Sequence, residues 1–285
     1  MKIAVLSGKG GTGKTFVSVN LASVLRDSIY IDCDVEEPNG RLFFRPEITK
    51  EIVAVNKIPV FDGEACVGCK KCVDFCAFHA LIYIREKPKV FTEVCHSCGG
   101  CMLLCPAAAI SEEDKRIGAV EVGIGLQGVP VITGILDVGE SSGIPVIQKA
   151  LEEGNRIAAE REEAVQIADC PPGSACSVME SVMEADYCIL VTEPTAFGLH
   201  NLKMVHELVT VLGRRCGVVI NKSEAMYEPL EAFCQEANLE VLARIPFSKE
   251  VAKLTADGRI AAAELPEMET LFTDLYHKIR GCVMS

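Results

Sequence analysis

Lys2-Ile3-Ala4-Val5-Leu6-Ser7-Gly8-Lys9-Gly10-Gly11-Thr12-Gly13-Lys14-Thr15 is the stretch on which the fold turns. Lys2 to Ser7 is an apolar run of strand length, and the pattern after the glycines predicts a helix from about Lys14 to Arg26. Between them, Gly8 to Thr15 fits G-x-x-x-x-G-K-[ST], a loop whose N–H groups and following helix N-terminus face phosphate oxygens. Gly8, Lys9, Gly10, Gly11, Thr12 and Gly13 form the cradle. Lys14 is expected to neutralise the β- and γ-phosphates of a nucleotide, and the Thr15 hydroxyl to bind Mg2+.

Outward from this unit, short apolar runs recur at Ile29–Asp32, Val131–Leu136, Ala164–Ala168, Tyr187–Val191, Gly217–Ile220 and Val241–Ile245, mostly separated by helical stretches. Strands alternating with helices imply an α/β fold with a doubly wound, mainly parallel sheet. Residues 56–116 break the alternation and read as an insertion, leaving 1–55 and 117–285 as the two parts of the host domain.

The insertion holds eight of the fifteen cysteines. Cys66, Cys69, Cys72 and Cys76 form one run, and Cys95, Cys98, Cys101 and Cys105 the other; each reads C-x2-C-x2-C-x3-C. Three thiolates at such spacing wrap three corners of a cubane while the fourth points to a partner cluster. Paired zinc sites are the alternative for four sulfurs, but zinc modules part their C-x2-C pairs by a long spacer. Residues 60–111 resemble a bacterial two-cluster ferredoxin, an α+β module. The resemblance implies one [4Fe-4S] cluster on Cys66, Cys69, Cys72 and Cys105 and a second on Cys95, Cys98, Cys101 and Cys76. Ala77 stands where that pattern usually has proline, whereas Pro106 is present.

The second lysine of the loop, Lys9 in K-G-G-x-G-K-T, resembles the deviant Walker A loop of the MinD, ParA and Mrp ATPases and the nitrogenase iron protein. The resemblance implies a P-loop NTPase that hydrolyses ATP slowly with Mg2+, and a nucleotide-dependent homodimer in which Lys9 reaches the partner's phosphates. It also implies roles for later residues. Asp32 would hold a magnesium-bound water, Asp34 would activate the attacking water, and Asp169 would lie near Mg2+, with the Gly173 amide sensing the γ-phosphate. Asn221-Lys222 would read adenine, and Pro246-Phe247 would bracket it. The chain as a whole is similar to MinD-superfamily ATPases carrying an inserted ferredoxin. That implies an ATP-driven switch coupled to electron transfer toward an unidentified redox partner. Two other readings stay open: an ATP-gated carrier of iron–sulfur clusters, and a positioning ATPase whose clusters sense redox state.

A formal charge of -12 disfavours non-specific nucleic-acid binding, and the insertion, with eight basic and eight acidic residues, contributes none of it. No apolar run reaches the roughly 18–20 residues of a membrane span, so a cytoplasmic protein is expected. The last helix, from about Pro266 to Arg280, carries little positive charge, so no membrane anchor is expected. Cys176 lies seven residues after Asp169, where the nitrogenase iron protein places a ligand of an intersubunit cluster; Cys170 is a conceivable second ligand. The final Cys282-Val-Met-Ser285 matches a prenylation pattern by chance.

Overall fold

The computed structural model describes residues 1–284, so Ser285, and with it the end of the prenylation-like tetrapeptide, lies outside the described residues. In chain order the elements are β1 (Lys2–Leu6), α1 (Lys14–Ser23), β2 (Ser28–Asp32), α2 (Gly40–Phe44), β3 (Glu47–Phe61), α3 (Lys71–Phe75), β4 (Leu81–Ile84) and β5 (Lys87–Val90). They continue with α4 (Gly100–Leu103), β6 (Ile110–Ile124), β7 (Pro130–Leu136), α5 (Ile144–Ala158), β8 (Val165–Asp169), α6 (Cys176–Val182) and β9 (Tyr187–Thr192). The last are α7 (Ala196–Val211), β10 (Cys216–Ile220), α8 (Glu228–Glu236), β11 (Val241–Arg244), α9 (Lys249–Ala256) and α10 (Pro266–Met284).

Nine strands form one sheet in the order β11-β10-β9-β1-β8-β2-β7-β6-β3, parallel from β11 to β7 and antiparallel over β6 and β3. Both faces are covered, because successive side chains of a strand point to opposite sides. On β1, Ala4 and Leu6 join the core with Ile147 of α5, Val178 of α6 and Val205 of α7. Ile3 and Val5 join the other core, with Val17 of α1, Leu254 of α9 and Phe272 of α10.

Two features differ from the sequence-based expectation. Helix α1 ends at Ser23, short of Arg26, because the Ser28 hydroxyl donates to the Ala22 carbonyl at 2.7 Å and caps the last turn. Between α2 and β7 the chain forms a long antiparallel ribbon, paired from Glu47 and Ile124 to Phe61 and Ile110. Residues 56 and 116, the expected limits of the insertion, fall inside it: Val55 pairs Arg116, and Asn56 pairs Lys115. The ribbon carries residues 62–109, which contain α3, α4 and the β4–β5 hairpin. Among the described residues no helix is long and apolar enough to cross a membrane.

Candidate functional site

The central strands gather acids and a lysine at their C-terminal ends, the edge where open α/β sheets bind ligands. Asp169 of β8 pairs in register with Asp32 of β2 on one side and Val5 of β1 on the other. Lys14, 6% exposed at the start of α1, donates from Nζ to Asp34 Oδ2 at 3.2 Å and Asp169 Oδ1 at 3.1 Å. The Tyr30 hydroxyl donates to Asp169 Oδ2 at 3.0 Å. Asp32 accepts from the N–H groups of Gly40, at 2.9 Å, and Asp34, at 3.2 Å.

Burial alone would depress Lys14, but the Asp169 and Asp34 carboxylates outweigh it and hold the ammonium above the ordinary lysine range. Burial and the Asp169 charge push Asp32 well above the usual carboxylate range, and burial moves Asp34 the same way. Asp34 and Asp169 thus face one ammonium, with Asp32 on the adjoining strand; carboxylate oxygens are the donors a hard divalent cation takes, although among the described residues no three such side chains converge on one point.

The loop before α1 needs glycine at its tightest points. Gly11 and Gly13 have φ of 78° and 95°, and a Cβ on Gly13 would lie 2.1 Å from Asn221 Nδ2. That amide donates to the Thr12 carbonyl at 2.7 Å, so Asn221, expected to read the base, braces the loop. Lys222 donates to the Gly11 carbonyl at 2.9 Å and to Glu193 Oε1 at 2.7 Å. Glu193 Oε2 accepts from Lys9 at 2.9 Å, while the Lys9 ammonium lies 4.9 Å from the centre of the Phe197 ring. The Gly173 N–H, expected to sense the γ-phosphate, donates to the Ser7 carbonyl at 2.9 Å and so joins the segment after β8 to the loop. Pro246 and Phe247 are exposed just beyond β11, where the Ile245 carbonyl accepts from the Ser223 N–H at 2.9 Å. A cleft of about 750 Å3 opens over the loop, lined by Lys9, Gly10, Lys14, Thr15, Asp34 and Pro171 among others. The Thr12 hydroxyl is buried beneath the loop with no partner in the protein.

The cysteine-rich segment is built twice. Left-handed backbone recurs at a spacing of 29 residues, at Gly68 and Ser97, at Lys70 and Gly99, and at His79 and Ala108. The cysteines repeat at the same spacing, as do the starts of α3 and α4. Each run borders a cavity, and the fourth cysteine of each run lines the other run's cavity. Cys66, Cys69, Cys72 and Cys105 line one; Cys95, Cys98, Cys101 and Cys76 line the other, of about 310 Å3. Among the described residues no three His, Cys, Asp or Glu side chains converge as a single metal ion requires. A four-iron cage imposes no such convergence, since it holds its thiolates at separate corners.

The model of the "CobQ/CobB/MinD/ParA nucleotide binding domain" matches residues 3–261. The chain belongs to this family. The uncharacterized protein MJ0578 of Methanocaldococcus jannaschii is 29% identical over 98% of this chain and 96% of its own length. The septum site-determining protein MinD of Pyrococcus horikoshii, solved with Mg-ADP, superposes with a TM-score of 0.58 over 98% of this chain and 95% of its own. At 20% identity, that likeness concerns the fold, a P-loop NTPase with a mainly parallel central sheet. An uncharacterized ferredoxin of Methanocaldococcus jannaschii, MJ0722, is 34% identical over 55 residues, 18% of this chain and 71% of that ferredoxin.

For this member of the ATP-binding MinD/ParA ATPases, two site residues escape a reading of the sequence. Tyr30 sits in an apolar strand and reads as core, and Glu193 is a single acid before a proline. Its place immediately after β9, at the same sheet edge as the loop, is the one signal that singles it out. Cys170 is corrected: it is wholly buried, its N–H bonded to the Val5 carbonyl at 3.0 Å, so it cannot supply a ligand across a subunit interface. Cys176 is exposed at the start of α6.

Proposed function

We propose that this chain is an Mg·ATP-dependent switch, dimeric when nucleotide is bound, whose hydrolysis is coupled to electron transfer through two [4Fe-4S] clusters. The observation that carries the reading is the crossed arrangement of the cysteines, four around each of two cavities with the fourth exchanged between runs. Such clusters store and pass single electrons. Cys66, Cys69, Cys72 and Cys105 would hold one, and Cys95, Cys98, Cys101 and Cys76 the other, in a ferredoxin-like module near the bounds 56–116. Val67 and Leu103, 70% and 81% exposed, offer a redox partner apolar contact beside the cysteines.

At the nucleotide, Lys14, the loop amides of Gly8 to Gly13 and Lys9 stabilise charge on the transferring phosphoryl group. Thr15 and Asp169 would hold Mg2+, which would supply positive charge to the phosphates, and Asp32 would accept from a water beside it. Asp34, released from Lys14 when phosphate arrives, orients the attacking water. Asn221, Lys222, Pro246 and Phe247 border the position expected for the base. Lys9 must leave Glu193 to reach a partner's phosphates, so nucleotide binding and dimerisation compete with this internal ion pair.

A series of contacts leads from Asp34 to the base of the ribbon. Val35, beside Asp34, accepts from the Leu136 N–H at 2.9 Å, and a Cβ on Gly143 would lie 2.5 Å from Val35. The loop from Asp137 to Gly143 is tied to the ribbon by Lys115–Glu140, at 2.8 Å, and Arg116–Asp137, at 3.1 Å. These contacts support a coupling in which movement at Asp34 would reach the place where the ribbon leaves the sheet.

Iron and labile sulfide analysis of anaerobically purified protein, paired with ATP-binding measurements, tests the reading. The wild type should carry about eight irons per chain, as two four-iron cubanes require. A variant lacking the eight insert cysteines should bind Mg·ATP without iron. A folded, colourless, iron-free wild type contradicts it.

A further inference from the structure

The two cysteine runs differ at one corner. Two residues after Cys66 the chain has Gly68, with φ of 68°; at the corresponding place after Cys95 it has Ser97, with φ of 51°. A side chain in left-handed backbone carries a steric cost that glycine avoids. The Ser97 hydroxyl is moreover buried with no protein partner, although Ser97 lines the cavity bordered by Cys76, Cys95, Cys98 and Cys101. At the first cavity a Cβ on Gly68 would lie 2.7 Å from the Tyr83 hydroxyl oxygen. There the corner is already filled by a hydroxyl from β4; at the second, serine alone supplies one.

A buried hydroxyl without an acceptor is costly and calls for a partner from outside the protein. The acceptors that the cysteine set would bring to this cavity are sulfurs. We infer that the Ser97 hydroxyl donates a hydrogen bond to a sulfur of the cluster held by Cys95, Cys98, Cys101 and Cys76, and so keeps that cluster's reduction potential up. The added electron increases negative charge on the sulfurs, so a donor aimed at them favours the reduced form. One electron enters from the reductant, and the proton stays on the hydroxyl. Ser97 is thus a positioning residue for charge, and the inference rests on the iron–sulfur reading above.

The test is a redox titration of full-length, anaerobically purified protein, followed by electron paramagnetic resonance with dithionite as reductant. Wild type, Ser97→Ala and Ser97→Gly are compared after iron analysis. Glycine reproduces the backbone of the first run and relieves the left-handed strain, whereas alanine keeps it. Both variants should retain the wild-type iron and move one of two reduction steps to more negative potential. The reduced-to-oxidised ratio of that cluster at fixed potential should fall about tenfold, some 59 mV for one electron, while the other step stays in place. Unmoved steps in both iron-loaded variants overturn the inference, as does a shift in alanine alone, which would report packing. Loss of iron from both variants overturns it too, because Ser97 would then hold the cluster and not tune it. A wild type without iron defeats the underlying reading and is recognised before any variant is titrated.

Discussion

Tyr30 is fully buried, and its hydroxyl reaches across from β2 to Asp169. Removing the hydroxyl leaves that carboxylate oxygen in a buried place without a donor. Tyr30→Phe should therefore cost about 1–3 kcal/mol of stability by urea unfolding, with the variant still binding nucleotide through Lys14. The buried thiols set an alkaline limit. Burial raises Cys188 to about 12 and Cys216 to about 11, against about 8.5 for an unfolded cysteine. Folding favours the protonated thiols, so their contribution is intact below about pH 8.5 and is lost as pH rises toward the folded values. Urea midpoints should fall across that window, and less steeply in Cys188→Ala; equal slopes would show that the thiol is not the titrating group. At this scale the sequence singles out Lys14, Asp34 and Asp169 because each follows the glycines or lies at or just beyond the end of a strand. Tyr30 and Glu193 stay hidden because their roles depend on a neighbour more than a hundred residues away.

Among the elements, the parallel strands are legible because burial on both faces makes them continuous apolar runs, such as Ile189 to Val191. The β3–β6 ribbon is not. Lys50, Glu51, Lys57 and Glu112 to Arg116 interrupt any alternation along it, with only scattered buried positions such as Ile58 and Ile110 between them. Charged side chains on the edge strand β3 also discourage pairing with other chains. The ribbon's tether predicts an uncoupling variant. Lys115→Met breaks the pair with Glu140, whose side chain is 14% exposed. Iron content and ATP affinity should match wild type, while any change in cluster signal on adding Mg·ATP should shrink at least severalfold, about the scale of a coupling worth 1 kcal/mol. An undiminished response would place the route elsewhere.

Over the whole molecule, two donor sets are carried on one chain. Oxygens and an ammonium gather at the sheet edge, and eight thiols at the end of a charged ribbon. The motifs mark each set separately, whereas the ribbon and its ion pairs to the loop after β7 are visible only in the folded geometry. Lys9 is held by Glu193. Glu193→Gln should weaken that hold and raise the dimer fraction at a given ATP concentration in analytical ultracentrifugation; an unchanged fraction would mean that the ion pair does not restrain Lys9.

The most direct measurement is an anaerobic redox titration of the wild-type protein, followed by electron paramagnetic resonance, with and without Mg·ATP. The account predicts two cubane signals and a displaced potential for at least one of them when nucleotide is present. Two signals with superimposable curves would contradict it, leaving a nucleotide site and a pair of clusters that share a chain without communicating.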